Sequence, residues 1–201
     1  GREHGLAWKI AQSSLVEQVY VAPGNAGTAS EPGVKNVPID AMDFEGLLEF
    51  VQMNEVGLTI VGPEDPLVGG IVDRFKLAGS ICFGPDQWSA QLEGSKSFTK
   101  NFLKKYEIPT GDCEIFEESE AAIAYLSERL PPFVIKADGL AAGKGVVIAQ
   151  DLNEAIDTVR GMLSGNLLGD AGSRIVIEEF LEGEEVSFIV VADGNNFLPF
   201  A

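Results

Sequence analysis

Basic residues are scarce in this chain: 14 Lys and Arg stand against 31 Asp and Glu, for a formal charge of −17 at pH 7. Nucleic acids and anionic membrane surfaces select for clustered Lys and Arg, so neither is expected as a partner. Any anionic ligand must be held locally, by backbone N–H groups and a few lysines. Histidine occurs once and cysteine twice, which leaves no Ser-His or Cys-His constellation for nucleophilic catalysis and no metal-ligand spacing. Cys82 and Cys113 stand alone in strand-like contexts and read as buried, reduced thiols. No apolar run approaches the length of a membrane span and no signal peptide opens the chain, so the cytoplasm is the expected location. With 45% hydrophobic residues over 201 positions, the chain can support two small domains with genuine cores.

From Gly1 to about Leu92, strands and helices alternate with short polar joints, which predicts a parallel, layered α/β sheet. The chain starts on the glycine turn GREHG and passes at once into a helical pattern, where a preceding strand is expected. Gln18–Ala22 reads as a strand running into the loop PGNAGT, Pro23–Thr28. A short strand follows around Val37–Ile39. Asp43–Glu55 is an amphipathic helix with Phe44, Leu47, Leu48 and Val51 on one face. Leu58–Val61 reads as a buried strand, followed by the loop GPEDPLV and a helix to about Ala78. Ser80–Phe83 is a further strand. Several strands thus end in Gly, Pro or Asn clusters, and ligands of open α/β sheets sit outside the carboxyl ends of strands. Glu64 and Asp65 lie among these clusters and point to a small polar ligand.

The most informative stretch is Phe133–Gln150, FVIKADGLAAGKGVVIAQ. Two β-branched, apolar runs flank a loop containing Gly139, Gly143 and Lys144 and closed by Gly145, which predicts a β-hairpin. Its glycines are expected to allow positive φ and close approach of backbone N–H groups to an anion, with Lys144 adding a point charge. A Walker A loop is excluded: the glycine spacing is too short, no Ser or Thr follows the lysine, and a strand follows instead of a helix. Lys136 lies within the apolar strand, where an ammonium is costly without an anion, so it is expected to face a ligand.

Ser95 reads as the cap of a helix with Phe98, Phe102 and Leu103 on one face and Lys100, Lys104 and Lys105 elsewhere. Lys96 falls in its first turn, against the helix dipole at a cost of about 0.3–1 kcal/mol unless an anion compensates. Further on, a strand Asp112–Phe116, a helix from Ser119, the hairpin and a helix Asp151–Leu163 make a unit of two helices on one face of an antiparallel sheet. Asp151 and Glu154 have capping-box spacing. The segment RIVIEEFLEGEE then changes from strand to acidic turn, and the carboxylates of Glu178 and Glu185 suit an exocyclic amine or ribose hydroxyls. Val186–Ala192 and FLPFA read as an interrupted hairpin, and with the abrupt start they lead to the expectation of a fragment.

Taken in order, GREH, APGNAGT, TIVGPEDPLV, FGP, QLEGSKSFTK, IPT, VIKADGLAAGKGV, GDAG and IVIEEFLEGEE resemble the glycinamide ribonucleotide synthetase family of ATP-grasp ligases over all 201 residues. The resemblance implies a Rossmann-like α/β N-terminal (preATP-grasp) domain, 1–92, followed by part of an α+β ATP-grasp domain, 93–201. It implies that Lys96, Lys136, Gly139, Gly143, Lys144 and Gly145 meet ATP phosphates, that Glu178, Phe180 and Leu181 meet adenine, and that Glu185 meets the ribose. Gly1, Arg2 and Glu3, with Gly24, Asn25, Gly27 and Thr28 and with Pro63, Glu64 and Asp65, match the end facing the amine substrate. Its ligands for Mg2+ or Mn2+ are expected beyond Ala201, and no catalytic side chain is expected among these residues. The implied reaction joins glycine to phosphoribosylamine at the expense of ATP, in a monomer. A non-catalytic nucleotide-binding fragment and a nicotinamide dehydrogenase are the rival readings.

Overall fold

The computed structural model describes residues 1–141, 145–165 and 169–200. Its first part follows the predicted alternation. Helix α1 (Arg2–Ile10) leads to β1 (Val19–Val21), the short α2 (Ala26–Ala29) and β2 (Val34–Asn36), which pairs parallel with β1. The strand expected at Val37–Ile39 thus lies three residues earlier. The Val37 amide still bonds Val21 O, but Pro38 has no N–H to continue the ladder. Helix α3 (Phe44–Met53) is capped by Asp43, whose side chain accepts from the Gly46 amide.

β3 (Thr59–Ile60) and β4 (Cys82–Phe83) form a second parallel pair. The strand expected to be buried is not: Leu58 is 51% and Ile60 37% exposed, because among the described residues β3 pairs with β4 alone. Between them the stretch expected as the loop GPEDPLV contains the short helix α4 (Glu64–Val68), and the expected helix follows as α5 (Ile71–Leu77), with Gly70 between them at φ 87° where a side chain would be strained. Ile71, Val72 and Phe75 of α5 pack with Val51 of α3 into the core of this part.

Helix α6 (Gln87–Gly94), not read from sequence, is capped by Asp86 and leads directly into α7 (Lys96–Lys105), capped by Ser95 as expected. Trp88 of α6 meets Phe98 of α7 edge-on, with ring centroids 5.6 Å apart.

The second part is the predicted α+β unit. Strands β5 (Cys113–Phe116), β6 (Phe133–Ala137), β7 (Val146–Ala149) and β8 (Ile175–Glu178) form an antiparallel sheet in the order β5-β8-β6-β7. Helices α8 (Ser119–Ser127) and α9 (Leu152–Leu163) cover one face. Ala122, Leu126, Ala155, Val159 and Met162 from the helices meet Phe133, Ile135, Ala137, Ile175 and Ile177 from the strands, all almost fully buried. Alternation then dictates that Val134, Lys136, Val176 and Glu178 point to the other face, where α7 lies. The capping box at α9 is modified: Asp151 accepts from the Glu154 amide, while Glu154 accepts from Gln150. After β8 the chain is exposed throughout, and β9 (Val190–Ala192) and β10 (Phe197–Pro199) pair around the Asp193–Asn196 turn, the first strand starting later than expected.

Candidate functional site

Two groups of predicted residues are brought together at separate places. At the carboxyl ends of β1 and β3, the first turn of α1 touches both following loops. Arg2 Nη2 lies 3.1 Å from Glu64 Oε1, and Glu3 packs so near Gly62 that a Cβ there would stand 2.9 Å from Glu3 Cγ. His4 Nε2 lies 2.8 Å from Glu31 Oε1, and the His4 ring abuts Gly27. The helix-end amide of Glu64 itself and the Arg2 guanidinium hold the Glu64 carboxyl below the usual carboxylate range, and Glu64 in turn raises Arg2. Gly1 caps α1 and Pro63 caps α4, with Asp65 in the first turn of α4. Gly24, at φ 77°, comes so near Asn36 that no side chain fits.

Thr28 is the buried member of this group. Its side chain is fully buried, has Asn36 Oδ1 at 2.8 Å and Asn25 O at 3.0 Å as acceptors for its single hydroxyl proton, and accepts from the Asn25 amide. It shapes the Asn25 loop.

The second group lies between α7 and the face of the four-stranded sheet that α8 and α9 leave uncovered. Lys136 on β6 and Glu178 on β8 approach to 3.0 Å, and Lys100 on α7 reaches the same Glu178 oxygen at 3.1 Å. Lys136 therefore has an anionic partner within the chain, where a ligand alone was expected. Lys100, expected off the apolar face of its helix, is among the buried residues. The available signal was helical spacing: Lys100 follows Lys96 by four positions and shares its face.

At the base of the hairpin, Asp138 accepts from the Ser97 amide at 2.6 Å and from the hydroxyls of Ser97 and Ser95 at 3.0 and 3.1 Å. This carboxylate caps α7 from outside the helix and compensates the Lys96 charge in its first turn. Lys96 Nζ donates to Gly139 O at 3.3 Å. The glycines at the loop base are required by contact and not by positive φ: a Cβ on Gly139 would stand 3.0 Å from Ala171 Cα, and one on Gly145 2.7 Å from Ala141 Cβ. Gly143 and Lys144 lie outside the described residues.

Phe180, Leu181 and Glu185 follow the end of β8 and are exposed. An open groove of about 730 Å3 there is lined by Glu178 and Phe180 together with Tyr125 of α8 and Arg129 just beyond that helix, and by none of the lysines Lys96, Lys100 and Lys136. The lysine cluster lies on the α7 side of the sheet and shares only Glu178 with this groove. Cys82 and Cys113 open β4 and β5 and are half-buried, where full burial was expected.

A parallel α/β part followed by an antiparallel sheet with a glycine hairpin and inward lysines is the arrangement of ATP-grasp proteins. The chain is similar in fold to N5-carboxyaminoimidazole ribonucleotide synthetase of Thermotoga maritima, with a TM-score of 0.62 at 19% identity over 90% of this chain and 44% of that one. The chain belongs to the phosphoribosylglycinamide synthetase family: the family's N domain matches residues 1–93 and its ATP-grasp (A) domain residues 94–201. It is 61% identical to phosphoribosylamine–glycine ligase of Pasteurella multocida over 100% of this chain and 47% of that protein. Against the crystal structure of phosphoribosylamine–glycine ligase from Thermotoga maritima the TM-score is 0.79, at 35% identity, covering 98% of this chain and 46% of that one. The chain thus spans about half the length of the curated relatives it matches. No helix among the described residues is long and apolar enough to cross a membrane.

Proposed function

We propose that these residues serve an ATP-dependent carbon–nitrogen ligase that joins glycine to 5-phosphoribosylamine, in a monomeric, cytoplasmic protein of the relatives' full length. The observation that carries the reading is the pair Lys100 and Lys136 on a single Glu178 oxygen. Two ammoniums against one carboxylate leave a positive charge seeking an anion in a part-buried cleft. Lys96, Lys136 and the hairpin from Gly139 to Gly145 hold the ATP phosphates. Glu178, Phe180 and Leu181 meet adenine and Glu185 the ribose. The loops around Arg2, Asn25 and Glu64 face the amine, within a first domain ending near residue 92.

Glycine's carboxylate oxygen attacks the γ-phosphorus, forming glycyl phosphate and releasing ADP. The amine of phosphoribosylamine then attacks the glycyl carbon, loses a proton and expels phosphate. Such transfers depend on alignment and on neutralising phosphate charge more than on a protein nucleophile. The described residues do not fit the Mg2+ or Mn2+ that the family reading brings, since they contain no group of three or more His, Cys, Asp or Glu able to hold a metal. What this chain supplies is phosphate and base binding.

The test is a coupled assay of ADP release by a protein of full length carrying these 201 residues. Release that needs both glycine and phosphoribosylamine is expected. Release indifferent to phosphoribosylamine overturns the proposal.

A further inference from the structure

We propose that Lys100 is a positioning residue: it remains the counter-ion of Glu178 when nucleotide phosphate draws Lys136 away, and so keeps Glu178 in place for the base. The inference rests on the reading of this cleft as an ATP site.

The two lysines differ in how firmly they are held. Lys100 Nζ donates to Thr110 Oγ1 at 2.7 Å and to Gly111 O at 3.3 Å, in addition to its 3.1 Å approach to Glu178. Its side chain is 10% exposed, while that of Lys136 is 27% exposed. Glu178 is the side-chain partner of Lys136 found among the described residues. Lys136 is therefore the exchangeable cation and Lys100 the fixed one.

The exchange has a physical requirement. The Glu178 side chain is only 12% exposed, and a carboxylate at such depth is strongly disfavoured once it loses its last counter-ion. Without Lys100, surrender of Lys136 to a phosphate would strand Glu178. Lys136 would then stay with Glu178, and ATP would lose a phosphate contact. With Lys100 in place, Glu178 keeps one ammonium through the exchange, and Lys136 is free to answer the phosphate. Lys100 itself touches neither phosphate nor base in this scheme.

The experiment is a double-mutant cycle in the full-length protein, reading KM for ATP, kcat and thermal midpoint. Lys100→Met is expected to raise KM for ATP by about tenfold to a hundredfold, with kcat at saturating ATP changed by less than about threefold. In a Glu178→Gln background the neutral amide needs no counter-ion, so Lys100→Met is expected to change KM by less than about threefold. Equal effects of Lys100→Met in both backgrounds overturn the proposal. Should Lys100→Met fail to fold, Thr110→Val, at an exposed position, removes the hydroxyl that fixes the ammonium and is expected to raise KM in the same direction by a smaller factor. An unchanged KM in Thr110→Val then overturns it. Lys136→Met separates the two levels: if it weakens ATP while Lys100→Met and Thr110→Val do not, only the role of Lys100 falls. If Lys136→Met leaves ATP unaffected, the nucleotide site itself falls, and this inference with it.

Discussion

The side chain of Asp138 accepts a hydrogen bond from the Ser97 amide at 2.6 Å, fastening the base of the glycine hairpin to the first turn of α7 across 41 positions of sequence. The same carboxylate takes both serine hydroxyls and stands 3.7 Å from Arg174. Helix α7 thus begins with two caps, Ser95 from within and Asp138 from without. Asp138→Ala is expected to lower stability by about 1–3 kcal/mol, read as a shift of the urea midpoint, since a cap acceptor is lost and buried donors are left unmatched. Lys96→Met should recover about 0.3–1 kcal/mol in the Asp138→Ala background and little otherwise. Equal recovery in both would show that Asp138 does not offset the lysine.

Much of this arrangement could be read from local pattern. The β6 and β7 runs announce the hairpin, and Lys136 inside an apolar strand marks a charge with a purpose. The helix at α7 follows from Ser95 and its aromatic spacing. Lys100 did not stand out, because its partners Glu178 and Thr110 come from other elements and a lysine among lysines looks solvated. Asp138 was hidden for the same reason: its contacts are all long-range. Helix α6 has too weak an amphipathic pattern to separate from a turn, although Asp86 three residues before Ser89 was a legible cap. The short strands β3 and β4 are legible in place, but β3 lies shallower than its pattern suggests, since burial depends on pairing that local pattern does not record.

The cysteines should be sluggish nucleophiles. Burial pushes the Cys82 thiol up to about 11 and also raises Cys113, where nearby Lys100 partly offsets it. At pH 8 the Cys82 thiolate population is about a hundredfold below that of an ordinary thiol. Iodoacetamide should therefore label Cys82 slowly in the native protein and readily in urea. Native labelling at the unfolded rate would contradict the burial.

The Arg2–Glu64 pair gives a pH dependence of definite sign. The folded carboxyl of Glu64 is depressed below its ordinary 4.5 by its own helix-end amide and by Arg2. Its contribution to stability is therefore complete above that ordinary value and is lost as pH falls through the depressed one. Arg2, raised from an already high value, stays charged throughout. The pair is exposed, so the effect is at most about 1 kcal/mol. Glu64→Gln should lower the thermal midpoint slightly at pH 7, and the difference from wild type should shrink as pH falls below 4.5. A difference that stays constant as the pH falls would place the effect in packing, not charge.

Gly145 closes the hairpin where the chain has no room for a side chain. A Cβ there would stand 2.7 Å from Ala141 Cβ and 3.3 Å from Ala137 Cβ. Ala137 cannot yield, because it is fully buried and paired with Ile175 in the centre of the sheet. Its amide also donates to Gly145 O at 2.7 Å. Ala141, within the loop, must move instead. Gly145→Ala should therefore cost about 1–3 kcal/mol of stability, the usual penalty for overpacking against a neighbour that cannot give. The displaced loop should raise KM for ATP by about tenfold in the full-length protein, since phosphate contacts depend on close backbone approach. Gly57→Ala is the control, as nothing lies within 4 Å of the added Cβ, and it should change neither quantity. An unchanged KM in Gly145→Ala would mean that the loop base does not set the approach of the hairpin to phosphate.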